Sequence, residues 1–133
     1  MSDRHFIDTN VLIYTVGDVI TKKHQAIQFL KINALISTPV LNESINVMSR
    51  KLKYDYVSIR DILGKILQKV ELCFVTEQTI FAALTLAEKY HYSYFDSLMI
   101  ASALIQKCSI LYSEDLQHGQ EIENQLKIIN PFL

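Results

Sequence analysis

Apolar and polar positions along this chain follow two periods. Short continuous apolar runs read as strands buried on both faces, and longer stretches with apolar residues every three or four positions read as helices. The runs are His5-Phe6-Ile7, Ala34-Leu35-Ile36, Glu71-Leu72-Cys73-Phe74-Val75, Ser109-Ile110-Leu111-Tyr112 and Leu126-Lys127-Ile128-Ile129. Between them, helical spacing predicts a segment opening at Thr9-Asn10 and others at about Ile20 to Ile32, Pro39 to Lys51, Asp55 to Gln68, Glu77 to Tyr90 and Tyr94 to Ile105. Gly17-Asp18 and Asn33 break the pattern, Thr38-Pro39 supplies a capping hydroxyl followed by a first-turn proline, and Thr76 caps the helix that follows it. Strands separated by helices throughout imply right-handed crossovers and a mainly parallel sheet between helical layers. The expected fold class is therefore α/β, a three-layer α/β/α sandwich, with residues 1–133 as one domain.

Three helices carry more detailed expectations. In the Pro39 helix, Leu41, Ile45, Met48 and Leu52 fall on one stripe that should be core, widened by Val40 and Val47. Glu43 projects just beyond that border, on a polar flank with Asn46 and Arg50. The Glu77 helix should bury Ile80, Ala83, Leu84 and Ala87. The Tyr94 helix is apolar nearly all the way round, hence buried, with Asp96 in its first turn.

Composition narrows the function classes. Half of the 133 residues are hydrophobic, with three Gly and two Pro, so a packed core is expected rather than disorder. Thirteen basic and fourteen acidic residues leave a net charge of −1. That balance excludes a protein that holds nucleic acid by a uniformly basic surface; a polyanionic substrate needs a cation or a local patch. Cys73 and Cys108 are far apart and lack metal-type spacing, and Met1-Ser2-Asp3-Arg4-His5 has no apolar signal core. A reducing, cytoplasmic setting is the expectation, with no run long enough to cross a bilayer. His5, His24, His91 and His118 show no ligand spacing and read as packed or surface histidines.

The candidate chemistry lies in four acids. Asp8 follows the first strand, Asp115 follows the strand at 109–112 with Glu114 beside it, and Glu43 and Asp96 stand on helices after crossovers. In a parallel sheet these positions meet at the C-terminal edge, where open α/β sheets bind ligands. Three of the four acids also have a plain reading: Asp8, with Asn10, as a helix cap, Glu43 as a solvated side chain, and Asp96 in Ser93-x-x-Asp96 as part of a capping box. Carboxylates about 4 Å apart repel by roughly 4 kcal/mol at an effective dielectric near 20. Protons or a cation must accompany their convergence. Oxygen-only donors suit Mg²⁺ or Mn²⁺, which points to phosphodiester chemistry.

The stretches FIDTNVLIY, TPVLNESINV, YFDSLMIASAL and LYSEDLQHG, closing on INPF, together resemble a PIN domain, most nearly the VapC-type toxin ribonucleases of toxin–antitoxin systems. Carried over by position, the family's acidic quartet becomes Asp8, Glu43, Asp96 and Asp115. The resemblance implies that Asp8, Asp96 and Asp115 bind the ion or its waters, and that Glu43 orients or deprotonates the attacking water. Thr9, Asn10 and Ser113 would hold the carboxylates by hydrogen bonds. Lys22, Lys23, Arg50, Lys51 and Lys53 are candidate RNA-backbone contacts, although cations closing the Pro39 helix equally complement its dipole. The implied activity is a Mg²⁺-dependent endoribonuclease, with Mn²⁺ substituting, that leaves a 5′-phosphate and a 3′-hydroxyl. A homodimer and a small antitoxin are implied partners; the helix faces around 20–32 and 55–68 either host the antitoxin or are plain core. Tyr90, Tyr92 and Tyr94 pack in the core or stack on bases. The alternatives are a phosphoacceptor receiver-like domain with a Mg²⁺ pocket, or a non-catalytic interaction module that keeps the fold. A receiver wants paired acids after the first strand and a Lys after the last, whereas here Asp8 stands alone and Asn130 follows the final strand.

Overall fold

The apolar runs pair into one sheet in the computed structural model, which describes residues 3–31 and 33–133. Met1 and Ser2, and Ile32 at the expected end of the second helix, lie outside the described residues. The strands are β1 (His5–Ile7), β2 (Ala34–Ser37), β3 (Glu71–Cys73), β4 (Ile110–Tyr112), β5 (Glu121–Ile122) and β6 (Leu126–Ile129). The helices are α1 (Thr9–Tyr14), α2 (Ile20–Ile27), α3 (Thr38–Arg50), α4 (Tyr56–Leu67), α5 (Glu77–Tyr90) and α6 (Tyr94–Ile105).

Sheet order is β3-β2-β1-β4-β6-β5. Every neighbouring pair is parallel except β5 with β6. The chain steps outward from β1 to β2 to β3 through α1–α2 and α3–α4, then crosses back through α5–α6 to β4 on the other side of β1. Right-handed crossovers in opposite directions put their helices on opposite faces, and that produces the three layers. The order reverses between β1 and β4, so the crevice for a ligand lies beyond the ends of those two strands. Receiver-type sheets run 2-1-3-4-5; the receiver-like alternative fails on topology.

Phe6, Leu35, Leu111 and Ile128, from four adjacent strands, are fully buried. Against them lies α6, buried without interruption from Ser97 to Ala103, as its all-round apolarity predicts. Cys73 and Cys108 are free, buried thiols pushed up to about 11 and about 12 by desolvation, which leaves them inert at neutral pH.

Four local expectations are corrected. The β5–β6 hairpin was not legible: its turn uses Glu123 and Asn124 at φ +53° and +55°. Two successive positive-φ residues are the geometry of a tight hairpin turn, but without glycine the turn leaves little trace in sequence. Helix α2 stops at Ile27 rather than near residue 32, because Phe29 and Leu30 turn in to pack on the core before Asn33 (φ +77°) leads into β2. In α3 the deepest line is Val40, Ser44 and Met48, while Leu41, Ile45 and Leu52 are only half-buried. The Ser44 hydroxyl donates to the Val40 carbonyl at 2.8 Å, so a polar residue sits satisfied in the core. In α5 the buried residues are Thr79, Ala83 and Leu86, and Ile80 and Leu84 face out. Thr79 answers the Thr76 cap by accepting its backbone N–H at 3.1 Å, so its hydroxyl is satisfied where it is buried.

Candidate active site

Strand β1 ends at Ile7, and the next residue, Asp8, is the N-cap of α1, its Oδ1 accepting the Thr9 N–H at 2.6 Å. The capping reading of Asp8 is therefore correct as local structure. It uses one carboxylate oxygen and leaves the other for long-range partners.

Those partners arrive from β4. The Asp8 N–H donates to the Tyr112 carbonyl at 3.0 Å and the Ser113 N–H to the Ile129 carbonyl at 3.0 Å, which extends the ladder to the strand ends. The buried Ser113 hydroxyl then donates to Asp8 Oδ2 at 2.7 Å and accepts the N–H groups of Asp115 and Leu116, both at 3.3 Å. Asn10 Nδ2 donates to Oδ2 of both Asp8 (3.1 Å) and Asp115 (2.9 Å), while its Oδ1 accepts the Glu114 N–H at 3.1 Å. One amide thus ties two strand ends 105 residues apart. Thr9 contributes its backbone N–H to this network. Ser113→Ala leaves two backbone donors without their acceptor, so we expect a stability loss of about 1–3 kcal/mol, read as a lower denaturation midpoint.

Asp8, Glu43, Asp96 and Asp115 all line one cleft of about 700 Å³. Glu43 comes from the second turn of α3 and Asp96 from the first turn of α6, where the Ser93 hydroxyl accepts the Asp96 N–H at 3.2 Å. Burial pushes the Asp8 carboxyl up to about 6; the bonds from Ser113 and Thr9 pull it down, and the charges of Glu43 and Asp115 push it further up. Among the described residues the ion pairs are Arg4–Glu71, Lys22–Glu114, Lys65–Asp61 and Lys89–Glu123, and none engages the quartet. The cleft therefore concentrates four acids that no ion pair neutralises among the described residues.

Among the described residues, no three His, Cys, Asp or Glu side chains stand close enough to hold an ion between them. The four acids surround a space rather than close on a point. The donor chemistry still fits Mg²⁺, which keeps several waters and takes only one or two carboxylates directly.

The five cations distribute unevenly. Lys51 lines the cleft; Lys23, Arg50 and Lys53 are not in its lining. Lys22 is paired with Glu114 and donates to the Tyr14 hydroxyl at 3.1 Å, and that hydroxyl donates to Glu114 at 2.8 Å. The Lys22 ammonium also lies 4.7 Å from the Tyr14 ring centre and 5.1 Å from that of Phe132. Glu114, held low by Lys22, is thus a structural acid beside Asp115. Sequence reasoning missed Tyr14 and Phe95 in the lining. Neither carries a spacing signal, since both sit in helices whose apolar residues read as core.

Comparisons with known proteins accord with this geometry. The PIN domain family matches residues 5–120. No curated protein gives a match to the chain. Among solved structures, a toxin–antitoxin complex from Klebsiella pneumoniae has a chain that superposes with a TM-score of 0.72 at 17% identity, covering 96% of this chain and 97% of that one. VapC20 of Mycobacterium tuberculosis, a sarcin-ricin-loop-cleaving toxin, superposes at 0.67 and 18% identity over 84% and 89%. A protein of Pyrobaculum aerophilum does so at 0.58 and 13% over 86% and 82%. At such identities the likeness is one of fold; the family match, which spans most of the sequence, goes further. This chain belongs to the PIN domain family.

Proposed function

We propose that this chain is a divalent-metal-dependent endoribonuclease, the toxin of a toxin–antitoxin pair. One observation carries the reading: four carboxylates, none of them in an ion pair among the described residues, line a single cleft at the switch point of a PIN fold. Asp8 and Asp115, bridged by Asn10, and Asp96 would hold a Mg²⁺ or Mn²⁺ ion or its waters. When bound, that ion supplies positive charge to the phosphate and lowers the pKa of the attacking water.

The chain's own side chains do the rest. Asn10 and Ser113 fix the carboxylate orientations, because each donates to Asp8 Oδ2. Glu43, exposed at the cleft, orients the water and accepts its proton. Lys51 meets a backbone phosphate. Attack at phosphorus breaks the P–O3′ bond and leaves a 5′-phosphate and a 3′-hydroxyl. The family relationship supports RNA as substrate and an antitoxin as partner. Exposed apolar side chains on α2 and α4, Ile20 at 67% and Val57 at 81%, offer faces for the antitoxin and for a homodimer. Among the described residues no helix is long and apolar enough to cross a membrane, in keeping with a proposed cytoplasmic site of action.

Purified protein should cleave RNA with Mg²⁺ or Mn²⁺, stop on addition of EDTA, and recover when the ion is restored in excess. Cleavage that persists in EDTA, or products ending in a 2′,3′-cyclic phosphate, would overturn the reading, since neither is compatible with ion-assisted attack by water.

A further inference from the structure

Phe95 opens the most deeply buried helix of the chain, yet it is 75% exposed. It precedes Asp96 and lines the same cleft. The Tyr94 ring meets it in a T-shaped contact, centroids 5.5 Å apart, which steadies its plane while leaving most of the ring in water. Lys51, Leu52 and Val47 belong to the same lining.

The cleft poses a binding problem that this ring answers. Its four carboxylates repel a polyanion, Lys51 is the cation of the lining, and the chain as a whole is slightly acidic. Beyond the phosphate contacts of a bound ion and Lys51, affinity can then come from groups of the substrate that carry no charge. A nucleobase is such a group: it is flat, neutral and polarisable, and it stacks on aromatic rings whatever its identity. Bases inside a duplex are already stacked on their neighbours, so an unpaired base is required.

We propose that Phe95 is a stacking platform for an unpaired nucleobase flanking the cleaved phosphodiester, with Leu52 and Val47 as the apolar wall of that subsite and Lys51 on the adjoining phosphate. The proposal rests on the nuclease reading of the cleft and narrows its substrate to single-stranded or looped RNA. A protein partner is the competing occupant of the ring, but an apolar protein segment would also have to cover the uncompensated acids beside it.

Two measurements test the proposal separately from the nuclease reading. The first uses EDTA, where no cleavage occurs, and follows 2-aminopurine fluorescence in a single-stranded oligonucleotide titrated with protein. Stacking on Phe95 quenches the probe; Phe95→Ala should abolish the quench and weaken binding about 5- to 150-fold, and Phe95→Trp should restore both. The second follows cleavage. Phe95→Ala should raise KM by a similar factor with kcat little changed, and an abasic nucleotide at one flanking position should weaken the wild type equally while adding nothing to the variant's defect. If no RNA is cut but the quench depends on Phe95, the nuclease reading fails and the platform stands. If cleavage is normal and both quench and KM are indifferent to Phe95→Ala, the platform is overturned and the nuclease stands. Loss of self-association or of protein binding in Phe95→Ala with RNA affinity unchanged assigns the ring to a protein interface and also overturns it.

Discussion

Replacing Asp8 by Asn should lower single-turnover RNA cleavage by about a thousandfold or more. The amide keeps the shape of the carboxylate and still accepts the Thr9 N–H through Oδ1. It loses the charge, and it turns the atom at Oδ2 into a donor facing the Asn10 amide, so the bridge between Asp8 and Asp115 breaks as well. Ion-assisted stabilisation of a phosphoryl transition state amounts to several kcal/mol, and each 1.36 kcal/mol is about tenfold in rate. Glu43→Gln should cost less, about 10²- to 10⁴-fold, the range of a lost general base. Retained thermal unfolding in both variants separates a chemical defect from a folding one. Wild-type rates in Asp8→Asn and Asp96→Asn alike would assign the activity to a contaminant.

The metal-free protein should lose stability as pH rises from about 4 to about 6. Asp8 has a carboxyl whose ordinary value near 3.8 is carried up to about 6 in the fold, chiefly by burial. Below pH 4 it is protonated whether the chain is folded or not. Between the two values the folded state holds a proton that the unfolded state has released, so stability falls with rising pH and levels off above 6. The full loss is at most about 3 kcal/mol, on the order of 10 °C in melting temperature for a domain of this size. Mg²⁺ or Mn²⁺ should oppose that loss at pH 7, by about 2.7 kcal/mol when the free ion is a hundredfold above its Kd. The ion should act far less at pH 5, where the proton competes for Asp8. Asp8→Asn should flatten both the pH slope and the ion response. A wild type as indifferent to pH between 4 and 6 as Asp8→Asn would mean that the Asp8 carboxylate is solvated rather than crowded.

Much of this molecule could be read from residue order. Strands β1, β2, β4 and β6 and helices α1, α3, α4, α5 and α6 lie where the periodicity puts them, to within a residue or two. Their alternation requires parallel crossovers, so the sheet edge to which Asp8, Glu43, Asp96 and Asp115 are delivered follows from connectivity alone. The misreadings share a cause. Hydrophobicity patterns register which residues are apolar, not which surface a neighbouring element covers. Ser44 and Thr79 are buried because their hydroxyls find local partners, while Ile80, Leu84 and Phe95 stand in water although they are apolar. The hairpin turn at Glu123-Asn124 takes left-handed backbone angles at both residues, and only Asn124 carries a propensity for them.

The sequence by itself determined most of the elements, their parallel order and the delivery of four acids to one cleft, because these depend on local periodicity and chain connectivity. Only the tertiary structure decided that Asn10 spans Asp8 and Asp115, that Lys22 is committed to Glu114 rather than facing the cleft, and that the acids ring a space instead of meeting at a point. Distances between residues a hundred positions apart are set by how the layers pack, and packing is a property of the assembled surfaces rather than of any one segment.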